Sequence, residues 1–477
     1  MSEPRFLVLG AGPAGLGAAL DLARRGFSVE VLERNPIVGG NAGSFEVAGI
    51  RVDYGSHRLH PATDPAILDR LRGLLGDDLL KRPRHGRIRL SGRWIHFPLS
   101  LPDLVAHAPP AFALGVAGDL AGRLLRGGSA PAADAETFAS VLRRGLGKTI
   151  CREFYFPYAR KIWGLDPEEL SPIQARRRVS AGSIGKMLRK LRPSSGSDSR
   201  PGAAKSFFYY PRNGFGQISD RLFDAAVEAG ARVSLGSAVE RVEVRPDGAF
   251  AVSVAGAGGD RVVEGGTLWS TIPASVLVRL LDPSPPDDVL EAASGLELRA
   301  MVLVYLVLDQ GRYTEYDAHY FPGTDIPFTR LSEPKNYAAR TEPAGRTVLC
   351  AEIPCSKGDG LWSMVDDDLG RLVVDGLRAA GLPAPRGVSS VQSRRLGQAY
   401  PIYRRGYEVH FDRIDRWLLG LNGVLSFGRQ GLFAHDNTHH TLAMAQAAVS
   451  CLGDDGTLDR DAWARHREVF ETFVVED

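Results

Sequence analysis

The chain has 477 residues, 44% hydrophobic and 24% charged, the proportions of an ordinary globular protein. That length exceeds what one core fills, so two or three lobes are expected. A formal net charge of +2 gives no broad attraction to nucleic acid. Arg-Phe-Leu-Val-Leu at 5–9 reads as a buried strand, Ala14–Arg25 as a helix, and Ser28–Glu33 as a second strand. Such a βαβ start implies a parallel sheet with a right-handed crossover. No secretory leader is read at the N-terminus, which reaches a strand by Phe6.

Helix is expected over 64–80 and roughly 101–126, separated by short strands at Arg87–Leu90 and Trp94–Phe97. Leu99–Leu125 is the most apolar long stretch, but Asp103, His107, Pro109, Pro110 and Asp119 argue against a membrane-spanning helix. More helix is expected over 135–192, then a mobile Ser-, Gly- and Pro-rich loop at 193–205. A helix over 215–229 precedes strands at 231–235, 239–244 and 249–254, a β-meander with its turn at Pro246-Asp247-Gly248. Ala255-Gly-Ala-Gly-Gly259 reads as a turn and not as a second nucleotide fingerprint. A strand at Thr267–Thr271, several strand-like runs within 297–355, a helix over 361–380, a strand at Gly423–Phe427 and a helix from Thr438 to Cys451 complete the reading.

Gly10-Ala-Gly12-Pro13-Ala14-Gly15 lies between the first strand and the first helix. Gly10 suits a tight turn, Gly12 a close backbone approach to a pyrophosphate, and Gly15 close helix–strand packing. The helix N-terminus offers free N–H groups to phosphates. Glu33, ending the second strand, is placed to accept hydrogen bonds from a ribose diol. A glycine triplet alone specifies only some dinucleotide.

Its continuation, Glu33-Arg34-Asn35 followed by Gly39-Gly40-Asn41 and Gly43, resembles the flavoprotein group of amine oxidases, protoporphyrinogen oxidases and carotenoid desaturases. In that group the double glycine lies along the FAD pyrophosphate. Val239-Glu-Arg-Val242 is similar to its adenine-side strand, and Leu268–Pro273 to its return strand. Val52-Asp-Tyr-Gly-Ser-His57-Arg-Leu-His60 resembles the flavin-proximal Gly-x-His segment of UDP-galactopyranose mutases and protoporphyrinogen-oxidase-like proteins. Tyr158-Ala-Arg-Lys-Ile-Trp163-Gly resembles a shared substrate-domain motif. Phe208-Tyr-Tyr210-Pro-Arg212-Asn-Gly214 is similar to the segment that nears the flavin from the substrate side. Phe427-Gly428-Arg429-Gln-Gly431 resembles the mutase Gly-Arg-Leu element, although the aromatics and Asp-Met pair that follow it in mutases are replaced by Phe433-Ala-His435-Asp436-Asn437-Thr438-His439-His440.

The resemblance implies an α/β fold: a Rossmann-like FAD-binding domain of glutathione-reductase type, with an inserted α+β substrate domain and a helical lobe. The FAD-binding parts are expected at 1–98, 207–295 (with the meander) and 411–477, the helical substrate or lid lobe at 99–206, and the substrate-binding sheet at 296–410. FAD is the implied cofactor, contacted by Gly10, Gly12, Pro13, Ala14, Gly15, Glu33, Arg34, Gly40, Asn41, His57, Val239, Gly428, Arg429, Asn437 and Thr438. The last two open a helix whose N-terminus would face the flavin pyrimidine. Tyr158, Trp163, Tyr210, Arg212, Arg330 and Tyr403 are the expected substrate contacts, and His57 and Arg330 the catalytic candidates.

Each has a plainer reading. His57 can be held by backbone bonds beside the cofactor, and Arg330 can form a buried ion pair with Glu333. Tyr400-Pro401-Ile402-Tyr403 either lines the pocket or packs. His435, His439 and His440 read as a helix cap with exposed imidazoles, with Asp436 or Asn437 near the N-cap, and no metal is assigned. Arg176–Arg178, Lys186, Arg189, Lys190 and Arg192 form a basic stretch, either solvated or bound to a phosphorylated or carboxylated substrate or an anionic membrane surface at its periphery. Cys151, Cys350, Cys355 and Cys451 form no CxxC pair and read as buried thiols in a reducing, cytoplasmic setting. The expected activity is FAD-dependent oxidation of a small molecule, with O2 as reoxidant. The alternative is a mutase-like sugar-nucleotide isomerisation on reduced FAD.

Overall fold

The computed structural model describes residues 5–97, 103, 106–125, 136–178, 207–256 and 259–475. The expected loop at 193–205 and the basic residues Lys186, Arg189, Lys190 and Arg192 lie outside these.

Five parallel strands form the first sheet, in the order Val424–Ser426, Thr267–Ser270, Arg5–Leu9, Ser28–Leu32, Arg232–Ser234. Both of its faces are covered, so the inner strands are mostly apolar, and the one buried acid, Glu30, is paired with Arg5 and Arg261. Pro13–Arg24 packs on one side with Gln217–Glu228 and Thr438–Ser450, and buries Leu16, Leu20 and Leu22 completely. A four-stranded sheet covers the other side, in the order Arg261–Gly265, Phe250–Gly256, Ser237–Val244, Leu281–Asp282. Two strands of the expected meander, at 239–244 and 249–254, pair here, with Arg261–Gly265 as the third antiparallel strand; the strand expected at 231–235 instead joins the edge of the parallel sheet beside Ser28–Leu32.

A seven-stranded mixed sheet runs Val388–Pro401, Leu298–Leu308, Thr347–Cys355, Arg330–Ser332, Ala318–Tyr320, Gly86–Leu90, Arg93–Phe97. The strands at 86–97 thus hydrogen-bond into this second large sheet, through Ala318–Tyr320. Helices Phe138–Leu146, Phe156–Trp163 and Pro172–Arg178 form a small lobe around Phe138, Leu142, Ile162 and Trp163. Among the described residues no helix is long and apolar enough to cross a membrane.

One expectation fails for a local reason. The helix expected over 64–80 stops at Leu75, because Gly76 takes φ +52, and Leu79–Pro83 pairs as a strand with Phe207–Pro211. The 14-residue strand Val388–Pro401 and the helix Tyr407–Gly420 had no clear periodicity to announce them. The four cysteines are buried, and none forms a disulfide.

Leu306 is fully buried in Leu298–Leu308, an interior strand of the second large sheet. Leu306→Ala is expected to lower unfolding free energy by about 2–5 kcal/mol, read from the midpoint of urea denaturation.

Candidate cofactor and substrate site

A cavity of about 720 Å³ opens at the carboxyl edge of the parallel sheet, where open α/β sheets bind ligands. Gly10 turns at φ +98, and a Cβ on it would meet Thr271 Oγ1 at 2.8 Å. A Cβ on Gly15 would sit 2.0 Å from the Gly10 carbonyl oxygen, so only glycine lets the helix start this close to the strand. Gly12 differs from both: it lines the cavity, and its Cβ would meet nothing within 4 Å. The helix from Pro13 has no side-chain cap at Gly12, which leaves its first N–H groups without that partner at the cavity edge.

Glu33 lines the same edge. Its Oε2 accepts from the Ala11 N–H at 2.8 Å, and its Oε1 accepts from the Asn35 backbone N–H (2.9 Å) and side-chain amide (2.7 Å). These bonds fix the carboxylate while leaving lone pairs for a diol. Gly39, at φ +105, donates its N–H to the Ala11 carbonyl at 2.8 Å and draws Gly40 to Gly12. Asn41 donates its amide to the Gln398 carbonyl at 3.0 Å, joining this turn to the second large sheet. The open space over Gly12, the uncapped helix and the oriented Glu33 fit a dinucleotide such as FAD.

The opposite wall is built from segments distant in sequence. Glu352 Oε1 accepts the Ser56 N–H at 2.8 Å, while Arg330 Nη1 donates to the Ser56 carbonyl at 3.1 Å. Arg330 Nε and Glu352 Oε2 are 3.6 Å apart, so one ion pair grips both ends of this residue. His57 donates from Nε2 to the Tyr54 carbonyl at 3.0 Å and stacks on Phe215 at 5.2 Å. Burial lowers its pKa, keeping the ring neutral more than Asp53 and Glu352 favour its charge. Beneath lies Asp53, which accepts from Ser44 Oγ (2.6 Å), the Phe215 N–H (2.9 Å) and the Tyr210 hydroxyl (2.5 Å). Burial still raises the Asp53 pKa against these bonds. Arg58 pairs with Asp317 at 3.0 Å and donates to Tyr320 and Tyr337.

Gly10, Gly12, Pro13, Ala14, Glu33, Arg34, Gly40, Asn41, His57, Val239, Arg330, Arg429, Asn437 and Thr438 all line this one cavity. Gly15 and Gly428 stand behind it as packing positions, Gly428 against Ala14. Several expected substrate contacts are elsewhere. Arg212 is on the outer surface, bonded to Asp78 at 3.1 Å. Tyr210 is buried under the wall on Asp53. Tyr403 is buried and stacked on Tyr407 at 4.3 Å. Trp163 packs on Phe138 within the helical lobe, while Tyr158 stacks on Phe154 there with its phenol in the field of the cavity-lining Arg330. Tyr400 does line the cavity, so the 400–403 segment serves both purposes.

Glu333 is not the partner of Arg330; it accepts from the N–H groups of Tyr313 and Thr314 and from Thr347. Asn437 is the N-cap, but His439 and His440 are buried rather than exposed, and burial lowers their pKa to about 4 and about 3. Glu352 was missed, although a lone acid in the apolar run Thr347–Cys355 was the available signal.

Residues 13–411 match the profile of the flavin containing amine oxidoreductase family. The chain belongs to that family. A Mycobacterium tuberculosis protein named as a flavin-containing monoamine oxidase is 28% identical over 295 residues, spanning 59% of this chain and 60% of that relative. The fold is similar to that of reduced UDP-galactopyranose mutase, with a TM-score of 0.76, 20% identity and 94% of each chain covered. It is also similar to cyclohexylamine oxidase from Brevibacterium oxydans, with a TM-score of 0.66, 18% identity, and 94% and 98% covered.

Because the Gly12 Cβ position is open and its φ of −75° suits any residue, Gly12→Ala is expected to leave the melting of flavin-free protein unchanged. It is expected to weaken FAD binding by about tenfold or more, about 1.4 kcal/mol, measured by flavin fluorescence titration.

Proposed function

We propose that the protein is an FAD-dependent oxidoreductase acting on a small molecule that carries a carboxylate or phosphate. The supporting observation is a single cavity with a dinucleotide cradle at Gly12 and Glu33 and an arginine-bearing wall at His57, Arg330 and Arg394. FAD, when bound, takes hydride at N5 from a C–H bond beside nitrogen or oxygen, or from a C–C bond being desaturated, and passes the electrons to O2.

The chain binds and orients. Arg330, braced by Ser56 and Glu352, is positioned to hold the substrate anion. Neutral His57, with Nε2 fixed on a carbonyl, holds its face of the wall against Phe215. The buried cysteines, none of them in a disulfide, suit a cytoplasmic location.

A redox-neutral isomerisation on reduced FAD, of the UDP-galactopyranose mutase kind, is the second reading. Its support is the same guanidinium wall, which suits a sugar diphosphate equally well.

Anaerobic mixing of the oxidised holoprotein with a panel of carboxylated and phosphorylated amines, alcohols and sugar nucleotides separates the two. Bleaching of the yellow absorbance supports oxidation. Turnover only after prior reduction, with no reductant consumed, supports the isomerase and rejects our first reading. With a reacting substrate, Arg330→Ala is expected to lower kcat/KM about tenfold to a hundredfold while FAD stays bound.

A further inference from the structure

Asp436 is the residue before the Asn437 cap, in the segment that contributes Asn437 and Thr438 to the cavity. Its side chain is 1% exposed, and neither carboxylate oxygen has a hydrogen-bond partner among the described residues. Buried carboxylates are nearly always bonded, so an unbonded one marks a group with a task beyond packing.

The charged and titratable groups around it explain its isolation. Arg177, from the helix Pro172–Arg178, brings Nη1 only to 4.0 Å, and its Nε and Nη1 are themselves unbonded. His440 Nδ1 is 3.6 Å away but accepts the Asn437 N–H, so it cannot donate to the acid. Arg429 spends one Nη1 bond on the Asp436 carbonyl and not on its carboxylate. The buried Tyr403 phenol is the remaining neighbour with a field at this site. Burial therefore prevails over the two arginines, and the Asp436 pKa is pushed up to about 6. His439 and His440, with pKa values of about 4 and about 3, stay neutral near that pH.

We propose that Asp436 is the proton store of the site, a carboxylate that takes up a proton from solvent when negative charge appears in the adjoining cavity on cofactor reduction. This rests on the flavin reading above. Two electrons enter the cofactor together with its own proton, and a second proton, drawn from water, forms the O–H bond of the Asp436 carboxyl group. Reoxidation returns that proton to solvent. The added negative charge disfavours the carboxylate, so the acid has a higher pKa with reduced than with oxidised cofactor. Below about pH 6 it is protonated in both states and adds nothing. Above that pH, up to the reduced-state pKa, each reduction consumes one extra proton.

Midpoint potentials of the FAD-loaded full chain, measured with mediator dyes from about pH 5 to about pH 9, test this without any substrate. Between about pH 6 and the reduced-state pKa the wild-type potential should fall more steeply with pH than that of Asp436→Asn, by one proton per two electrons. Equal slopes in the two flavin-loaded proteins overturn the proposal and leave the flavin reading intact. A wild-type chain that takes up no FAD overturns both. Arg177→Gln provides an independent arm if the first variant does not fold. Removing that cation should move the onset of the steeper slope to higher pH, and an unmoved onset rejects the assignment.

Discussion

The constraint on which the site depends is the distance between the first helix and the first strand. With no side chain on Gly15, the Gly10 carbonyl lies where a Cβ would be, and the helix begins directly against the turn. Later contacts are built on this approach. The Ala11 N–H goes to Glu33 and its carbonyl receives Gly39, so both flanking segments are located by one residue of the turn. The Thr271 hydroxyl closes the other side by donating to the Leu9 carbonyl at 2.8 Å. The cradle is thus the space left when these backbone groups have satisfied one another, with Gly12 the position that projects nothing into it.

The opposite wall is held by side chains and not by backbone proximity. Asp53 gathers Ser44, Tyr210 and Phe215, while its own carbonyl receives the Tyr305 hydroxyl at 2.7 Å. One residue thereby ties the hairpin at 44–53, the strand at 207–211 and the strand Leu298–Leu308 of the second large sheet. Burying that carboxylate is tolerable because three donors meet it; removing one would leave a polar group without water or partner. The Glu352–Arg330 grip on Ser56 follows the same economy, since each charge also satisfies a backbone group.

This difference explains what could be read from the sequence. The cradle comes from glycines and one acid between Gly10 and Gly40, each required by a local backbone demand, so residue type and spacing suffice. The strand Val388–Pro401 and the pairing of Leu79–Pro83 depend on partners far along the chain and leave little local signal. The same holds for side-chain direction. Tyr210 and Arg212 belong to a segment that approaches the wall, yet one turns inward to Asp53 and the other outward to Asp78. His439 and His440 looked like cap residues facing solvent, but the C-terminal segment covers them, with Phe473 stacked on His440 at 4.4 Å. A motif gives the path of the backbone; which side of it is filled is decided by the neighbours.

The charge of the wall bears on substrate in a way the family name alone does not. An ammonium entering this cavity meets Arg330, Arg394 and Arg429, and repulsion between like charges grows as water is expelled. The carboxylates among the described lining residues are already placed: Glu33 at the turn, Glu352 on Ser56 and beside Arg330, and Asp436 with its oxygens withdrawn from the open space. A carboxylate or phosphate meets the reverse situation, since Arg330 is braced against the wall with its charge incompletely offset by Glu352 at 3.6 Å. Such a substrate would add negative charge to a site that gains more on reduction. A nearby acid able to take up a proton would limit that accumulation. On the proposed reading the arginine wall and the unbonded Asp436 are complementary: one would admit the anion, and the other would relieve the field that the anion and the electrons create together.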